Sequence, residues 1–209
     1  MDWRADQLSE RECYKLLVNT VLPRPIALVT TLGDDGVANT APFSFFNVMA
    51  SDPAIVALGL EGDSQSSDGL KDTTRNILAR GEFVVNLVHK PLVDAMSICG
   101  VPFPTGEAEH AHAVLTTIPS VQIATPRIAQ SRVQFECRLH TTLTIGPARH
   151  VVIGEILHLH IDDALLTPSG HIDVDAFQPV GRIHGSDWYV DLGSRFQSTK
   201  YTLADWQSR

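Results

Sequence analysis

Val133-Gln134-Phe135-Glu136-Cys137-Arg138-Leu139-His140-Thr141-Thr142-Leu143-Thr144-Ile145 is the stretch that decides the fold. Val133, Phe135, Cys137, Leu139, Thr141, Leu143 and Ile145 alternate with Gln134, Glu136, Arg138, His140, Thr142 and Thr144. Side chains in an extended chain point to opposite faces in turn, so this spacing predicts one long, half-buried strand. Gly146-Pro147 reads as its turn, and Val151 to Ile161 returns, with Leu157, Leu159 and Ile161 on one face and His158 and His160 on the other.

Upstream, the branched run Ile26 to Leu32 enters Gly33-Asp34-Asp35-Gly36, whose Asp-Gly pair favours a tight hairpin, and a second strand is expected over Val37 to Phe46. Ala54 to Leu60 follows Asp52-Pro53 as a third strand and ends in a polar loop, Glu61 to Gly69; Glu82 to Val88 is a further strand. Two long hairpins with few helices between them argue for a closed or nearly closed antiparallel barrel, so the class is mainly β with peripheral helices.

The helices sit at the margins. Cys13, Leu16, Leu17, Thr20 and Val21 recur at the spacing of one helical face before Pro23 and Pro25. Lys71-Asp72-Thr73-Thr74 reads as a helix start and Gly81 as its stop. Leu92, Ala95, Met96 and Cys99 repeat at helical spacing, whereas Val101 to Pro126, with four prolines and a glycine, predicts a long surface excursion with little regular structure. No repeat or linker divides the chain, so one domain is expected over residues 1–209: an N-terminal helix over 10–22, a barrel over about 24–191 and a tail over 192–209.

Composition narrows the function classes. The 209 residues are 44 % hydrophobic, enough for a sizeable core, and their formal charge of -8 is the wrong sign for a nucleic-acid or anionic-membrane surface. No apolar run approaches the ~20 residues that span a bilayer, and Met1-Asp2-Trp3-Arg4-Ala5-Asp6 lacks the basic start of a signal peptide, which makes the cytoplasm the expected location. Cys13, Cys99 and Cys137 are odd in number and show no paired spacing, and read as small core residues.

The signatures of dedicated dinucleotide folds, P-loops, serine hydrolases and zincins are absent. Two His-x-His pairs, His110/His112 and His158/His160, leave a barrel metal site as one reading, without a Glu following at short interval to complete a facial set; no metal site is assigned. The start of the Lys71 helix is the best local anion site, because free amides, the helix dipole, two hydroxyls and an ammonium converge there. Asn39-Thr40-Ala41-Pro42-Phe43-Ser44-Phe45-Phe46-Asn47 sets three aromatics among polar groups, a composition suited to a flat heteroaromatic ligand.

Taken in order, Arg24 to Thr31, Asn39 to Asn47, Asp52-Pro53, Lys71 to Ile77, Glu82 to Asn86, Phe135 to Leu139, Gly154-Glu155-Ile156 with His160, and Gly181-Arg182 followed by Tyr189 resemble the flavin reductase-like family over about residues 22–189. The resemblance implies an FMN-binding split β-barrel of antiparallel Greek-key type and a homodimer with flavin near the subunit interface. It implies hydride transfer from NADH or NADPH to flavin, with a monooxygenase as a possible partner. By position it implies Lys71, Thr73 and Thr74 at the FMN phosphate with Ser51 nearby, and Asn39, Ser44, Phe46 and Asn47 along the ring or ribityl chain. His160, Arg182 and Tyr189 are the candidates for the nicotinamide or substrate side. The sequence departs from the family at Arg132, where proline is frequent, and at His184, where glycine is common. A carrier that binds flavin or heme without turnover is the alternative reading of the same fold.

Overall fold

The computed structural model describes residues 2–146, 149–185 and 187–207. Helix α1 (Glu10–Thr20) starts at a reciprocal cap: the Ser9 hydroxyl accepts from the Glu12 amide while the Glu12 carboxylate accepts from the Ser9 amide at 2.9 Å. It ends two residues before the expected limit of 22, and the chain passes through β1 (Arg24–Pro25) into β2 (Ala27–Leu32) and β3 (Ala38–Phe43). Gly36, at φ 81°, supplies the left-handed residue of the turn between the last two.

The strand expected over Val37 to Phe46 is in fact two. Ser44 and Phe45 leave the ladder, the Phe45 carbonyl accepts from the Gly59 amide at 2.7 Å, and a new strand, β4 (Phe46–Ser51), pairs with β5 (Ala54–Leu60). Helix α2 (Asp72–Arg80) closes on Gly81 at φ 70° and leads into β6 (Glu82–Leu87). Helix α3 (Val93–Ile98) lies on the predicted helical stretch.

After it come α4 (Glu109–His112), β7 (Thr117–Ile118) and β8 (Arg127–Ile128). The long hairpin follows as β9 (Val133–Ile145) and β10 (Arg149–Ile161); Pro147 of its predicted turn lies outside the described residues. Helix α5 (Val174–Phe177), strands β11 (Val180–Arg182) and β12 (Tyr189–Asp191) and helix α6 (Leu203–Gln207) complete the chain.

Seven strands form one antiparallel sheet in the order β3-β2-β6-β9-β10-β5-β4, which curls until β3 meets β5. A second sheet, β1-β11-β12, lies beside it. Inside the curl, Ala27, Val29, Leu58, Phe83, Val85, Cys137 and Val152 form the main core. Gly154 is obligatory there, because a Cβ at that position would stand 2.3 Å from the Phe83 ring.

The excursion over residues 101–126 corrects the sequence reading in one respect. It runs over the surface with little regular structure, as expected, yet it is anchored inward at a few points: Ala113 and Leu115 join Ile26, Leu28, Leu92, Met96, Cys99 and Ile128 in a second core. Proline and glycine interrupt regular elements without deciding what is buried. The loop is fastened by Glu136, a fully buried side chain whose carboxylate accepts from the amides of Val121 and Gln122, both at 2.7 Å.

A bulge in β10 between Ile156 and His158 sets the end of that strand. Leu159 and Ile161 turn to solvent, 54 % and 37 % exposed, while His160 meets Glu136 at 2.6 Å. Of the cysteines, Cys99 and Cys137 are buried as expected and Cys13 is only half-buried. Among the described residues no helix is long and apolar enough to cross a membrane.

Candidate functional site

Lys71 occupies the N-cap of α2 with extended backbone, and no side chain caps the helix. The amides of the first turn have no partner within the helix, and the dipole adds partial positive charge, so this end seeks an anion. Arg75 shapes the approach. Its guanidinium donates to Asp68 at 2.8 Å, to the Ser66 hydroxyl at 2.9 Å and to the Leu70 carbonyl at 3.0 Å, and it also pairs with Asp72. The bonds from Arg75, then those from Ser66 and the Leu70 amide, hold the Asp68 carboxyl well below the usual carboxylate range. Arg75 therefore neutralises two acids and folds the 66–70 loop against the helix, leaving the Lys71 ammonium and the backbone amides to meet a ligand.

From the opposite wall, Asn39 of β3 reaches Thr73. With its amide oriented to satisfy both neighbours, Asn39 donates to Glu109 at 2.8 Å and accepts from the Thr73 hydroxyl at 2.8 Å. Glu109 also accepts from the Thr40 amide at 2.7 Å. Burial pushes the Glu109 carboxyl above its ordinary value, and the Thr40 bond opposes that shift only in part.

These groups border a cleft of about 1150 Å³. Pro42, Phe43 and Phe103 give it apolar surface, and at its other end Arg182 donates to the Tyr189 hydroxyl at 2.7 Å with its guanidinium 5.0 Å from the Tyr189 ring centre. An uncapped helix end with an ammonium at one side and apolar walls beyond it fits a phosphate-bearing flat ring. The volume matches the upper range of small-molecule sites, ~1,000 Å³, and leaves room for a second ring.

The structure brings five of the sequence-predicted residues to this cleft: Asn39, Lys71, Thr73, Arg182 and Tyr189. Thr74 is buried on the inner face of α2 and Phe46 belongs to the main core. Ser44 lines an adjoining groove and accepts from Arg24 at 3.3 Å. Asn47 and Ser51 stand exposed on β4, the edge strand of the sheet. His160 lies with Arg127, Arg132 and Gln134 along a separate depression.

Sequence reasoning assigned no role to Arg75, Glu109 or Phe103. The i, i+3 spacing of Asp72 and Arg75 was a usable signal for the first; nothing local marks Glu109, which meets Asn39 across 70 residues of chain. Among the described residues no group of three or more His, Cys, Asp or Glu side chains is placed to hold a metal ion.

Comparison with known proteins places this geometry. The structure of nitrilotriacetate monooxygenase component B from Bacillus cereus is 30 % identical, with a TM-score of 0.89, and the match covers 95 % of this chain and 98 % of that one. The 2-nitrobenzoate 2-nitroreductase of Pseudomonas fluorescens is 32 % identical, with a TM-score of 0.86 and coverage of 97 % and 98 %. A split-barrel domain from Shewanella frigidimarina, 20 % identical with a TM-score of 0.80 over 97 % of this chain and 100 % of that one, shares the fold. Residues 19–178 match the flavin reductase like domain, a span that holds the seven-stranded sheet, the N-terminus of α2 and Asn39 together. The chain belongs to the flavin reductase-like family, and its fold is the split barrel.

Proposed function

We propose that the protein is an FMN-dependent oxidoreductase that takes hydride from NADH or NADPH, acts as a cytoplasmic flavin reductase and works as a homodimer. The observation that carries this reading is the uncapped N-terminus of α2, with Lys71 beside it, opening onto a cleft large enough for a flavin and a second ring.

Bound FMN supplies the electron-accepting ring that receives hydride from the nicotinamide. The chain's own part is to bind and orient. Lys71 and the first-turn amides hold the phosphate, and the Thr73 hydroxyl, tied to Asn39, fixes the distance between α2 and β3. Pro42, Phe43 and Phe103 offer the apolar walls, and Arg182, braced by Tyr189, presents a fixed guanidinium to the nicotinamide side. No side chain has to transfer a proton in this scheme, so stacking and orientation carry the catalysis.

Exposed apolar residues support a second copy as the partner. Val48 and Met49 on edge strand β4 are 54 % and 58 % exposed, and an uncovered strand edge invites pairing. Asn47 and Ser51 lie on that same strand, so a second copy that covered this edge would also cover them. The likeness to a protein titled as a monooxygenase component supports delivery of reduced flavin to a separate oxygenase.

The test is an absorbance spectrum of the purified protein before and after FMN, then after NADH and NADPH under nitrogen, with size-exclusion light scattering alongside. Bound flavin that bleaches, with continued NAD(P)H oxidation when FMN is in excess, is the expected result. Reduction that stops at one equivalent indicates the carrier, and protein that ignores FMN refutes the proposal.

A further inference from the structure

A second cavity of about 590 Å³ opens beside the cleft and shares Pro42 and Arg182 with it. Arg11 and Lys15 of α1 form one side, Arg182 and His184 the other, and Arg24 and Ser44 lie between them. Among the described residues that line it none is Asp or Glu, in a chain whose formal charge is -8. A local field of this sign inside an acidic protein needs a reason.

Arg24 sharpens the point. It is 6 % exposed, and it donates to the carbonyls of Val18 at 2.6 Å, Val21 at 3.3 Å and Ile183 at 3.0 Å and to the Ser44 hydroxyl at 3.3 Å. Every acceptor is neutral. These bonds use four of the guanidinium's five N–H groups and cap the end of α1, but among the described residues no carboxylate pairs with Arg24. Burial, and after it the charge of Arg182, pull the Arg24 guanidinium below its ordinary value against an opposing effect of Tyr14. A buried cation with cationic neighbours is costly until an anion arrives.

Strand β3 serves as a ruler. Asn39 marks the α2 end of the cleft through its contact with Thr73. Pro42 lies three residues along, ~10 Å away at the rise of a strand, and Ser44 lies beyond the strand's end inside the basic cavity. A flavin with its phosphate at Lys71 and its ring laid along this cleft would reach toward Pro42 and Arg182. A nicotinamide stacked on that ring has its diphosphate and adenosine free to continue past Arg182. The ADP half of FAD, by contrast, hangs from the phosphate end, on the far side.

We propose that this basic cavity binds the diphosphate-bearing ADP half of the dinucleotide donor, with Arg11, Lys15, Arg24 and Arg182 as its charged lining. The assignment rests on the flavin reading above and adds the place where the donor's non-reacting half is held. Binding energy collected there aligns the nicotinamide without any dinucleotide fold in the chain.

The experiment titrates ADP-ribose, which cannot be oxidised by the flavin, into FMN-loaded protein by calorimetry, for the native chain and for Arg11→Ala/Lys15→Ala. Both residues are exposed, and neither side chain takes part in the Ser9–Glu12 cap. The expected result is saturable, salt-sensitive binding that weakens about tenfold in the double variant, with KM for NADH or NADPH rising in parallel and FMN affinity preserved. Absence of ADP-ribose binding, or equal binding to both proteins, overturns the proposal even if NAD(P)H is oxidised. Binding lost in the variant while no NAD(P)H is oxidised upholds the cavity as an ADP site and refutes the reductase reading instead. If the variant weakens FAD as much as ADP-ribose while FMN is unaffected, the cavity belongs to the flavin's adenylate and the donor assignment falls.

Discussion

Replacing Glu136 with Gln is the most informative single change in the barrel. The carboxylate is fully buried and accepts from the Val121 and Gln122 amides, both at 2.7 Å, with His160 Nε2 at 2.6 Å. A carboxamide offers one oxygen, so one amide keeps its partner and the other faces an NH2 group. The loss is one hydrogen bond to a charged acceptor, ~1.5–3 kcal/mol, together with ~1 kcal/mol for a part-buried amide left facing the NH2 group. A total of ~2.5–4 kcal/mol lowers Tm by roughly 5–16 °C in a chain of this size.

The pH dependence has a definite sign. Burial alone raises the Glu136 carboxyl, but the two amides and His160 outweigh it, so the group titrates below its ordinary value. Stability from this site is therefore present above the unfolded value of about 4.3 and is lost as pH falls through the lower folded value. Urea unfolding followed by far-ultraviolet circular dichroism between pH 3 and 7 is the assay, since Trp188 and Trp206 are both largely exposed and report the core poorly. A variant less than ~1 kcal/mol weaker at pH 7, or one that retains the native acid dependence, refutes the reasoning.

Three other outcomes follow from the same geometry. Lys71→Ala weakens FMN binding about tenfold and flattens its salt dependence, measured by flavin fluorescence quenching; unchanged affinity places the phosphate elsewhere. Gly154→Ala puts a Cβ 2.3 Å from the Phe83 ring and costs ~3 kcal/mol in denaturant unfolding, because a fully buried ring has no free space to move into; an unshifted midpoint contradicts the packing. Burial pushes the Cys99 thiol up to about 12 and raises Cys137 as well, so a thiol reagent at pH 8 labels Cys13 alone in the native protein and all three cysteines after unfolding, read by mass spectrometry.

The parts legible in the sequence were those governed by near-neighbour periodicity. Alternation from Val133 to Ile145 sets β9 to the residue, Asp35-Gly36 sets the β2–β3 turn, and the Lys71 start and Gly81 stop bracket α2. What stayed hidden depends on partners remote in the chain. Ser44 and Phe45 leave the ladder because Gly59 claims the Phe45 carbonyl, and the 119–126 loop is fastened to the barrel, with Ile123 and Thr125 buried under it, because Glu136 claims two of its amides. In the site, Lys71 and Thr73 were readable from helix chemistry, whereas the Asn39–Glu109 contact and the meeting of Arg24 with Ser44 exist only once the sheet has curled.

Strand β2 lies between two hydrophobic clusters and divides its side chains between them. Ala27 and Val29 enter the main core, and Leu28, with Ile26 just ahead of the strand, enters the one built with the 101–126 excursion. Successive residues of one short segment thus couple the melting of both clusters: neither can lose its share of β2 while the other keeps its own. A single calorimetric transition is expected, with calorimetric and van't Hoff enthalpies in agreement. The cleft walls contributed by β3 and by the excursion then persist or vanish together, so a half-melted form that still grips its ligand is denied to this chain.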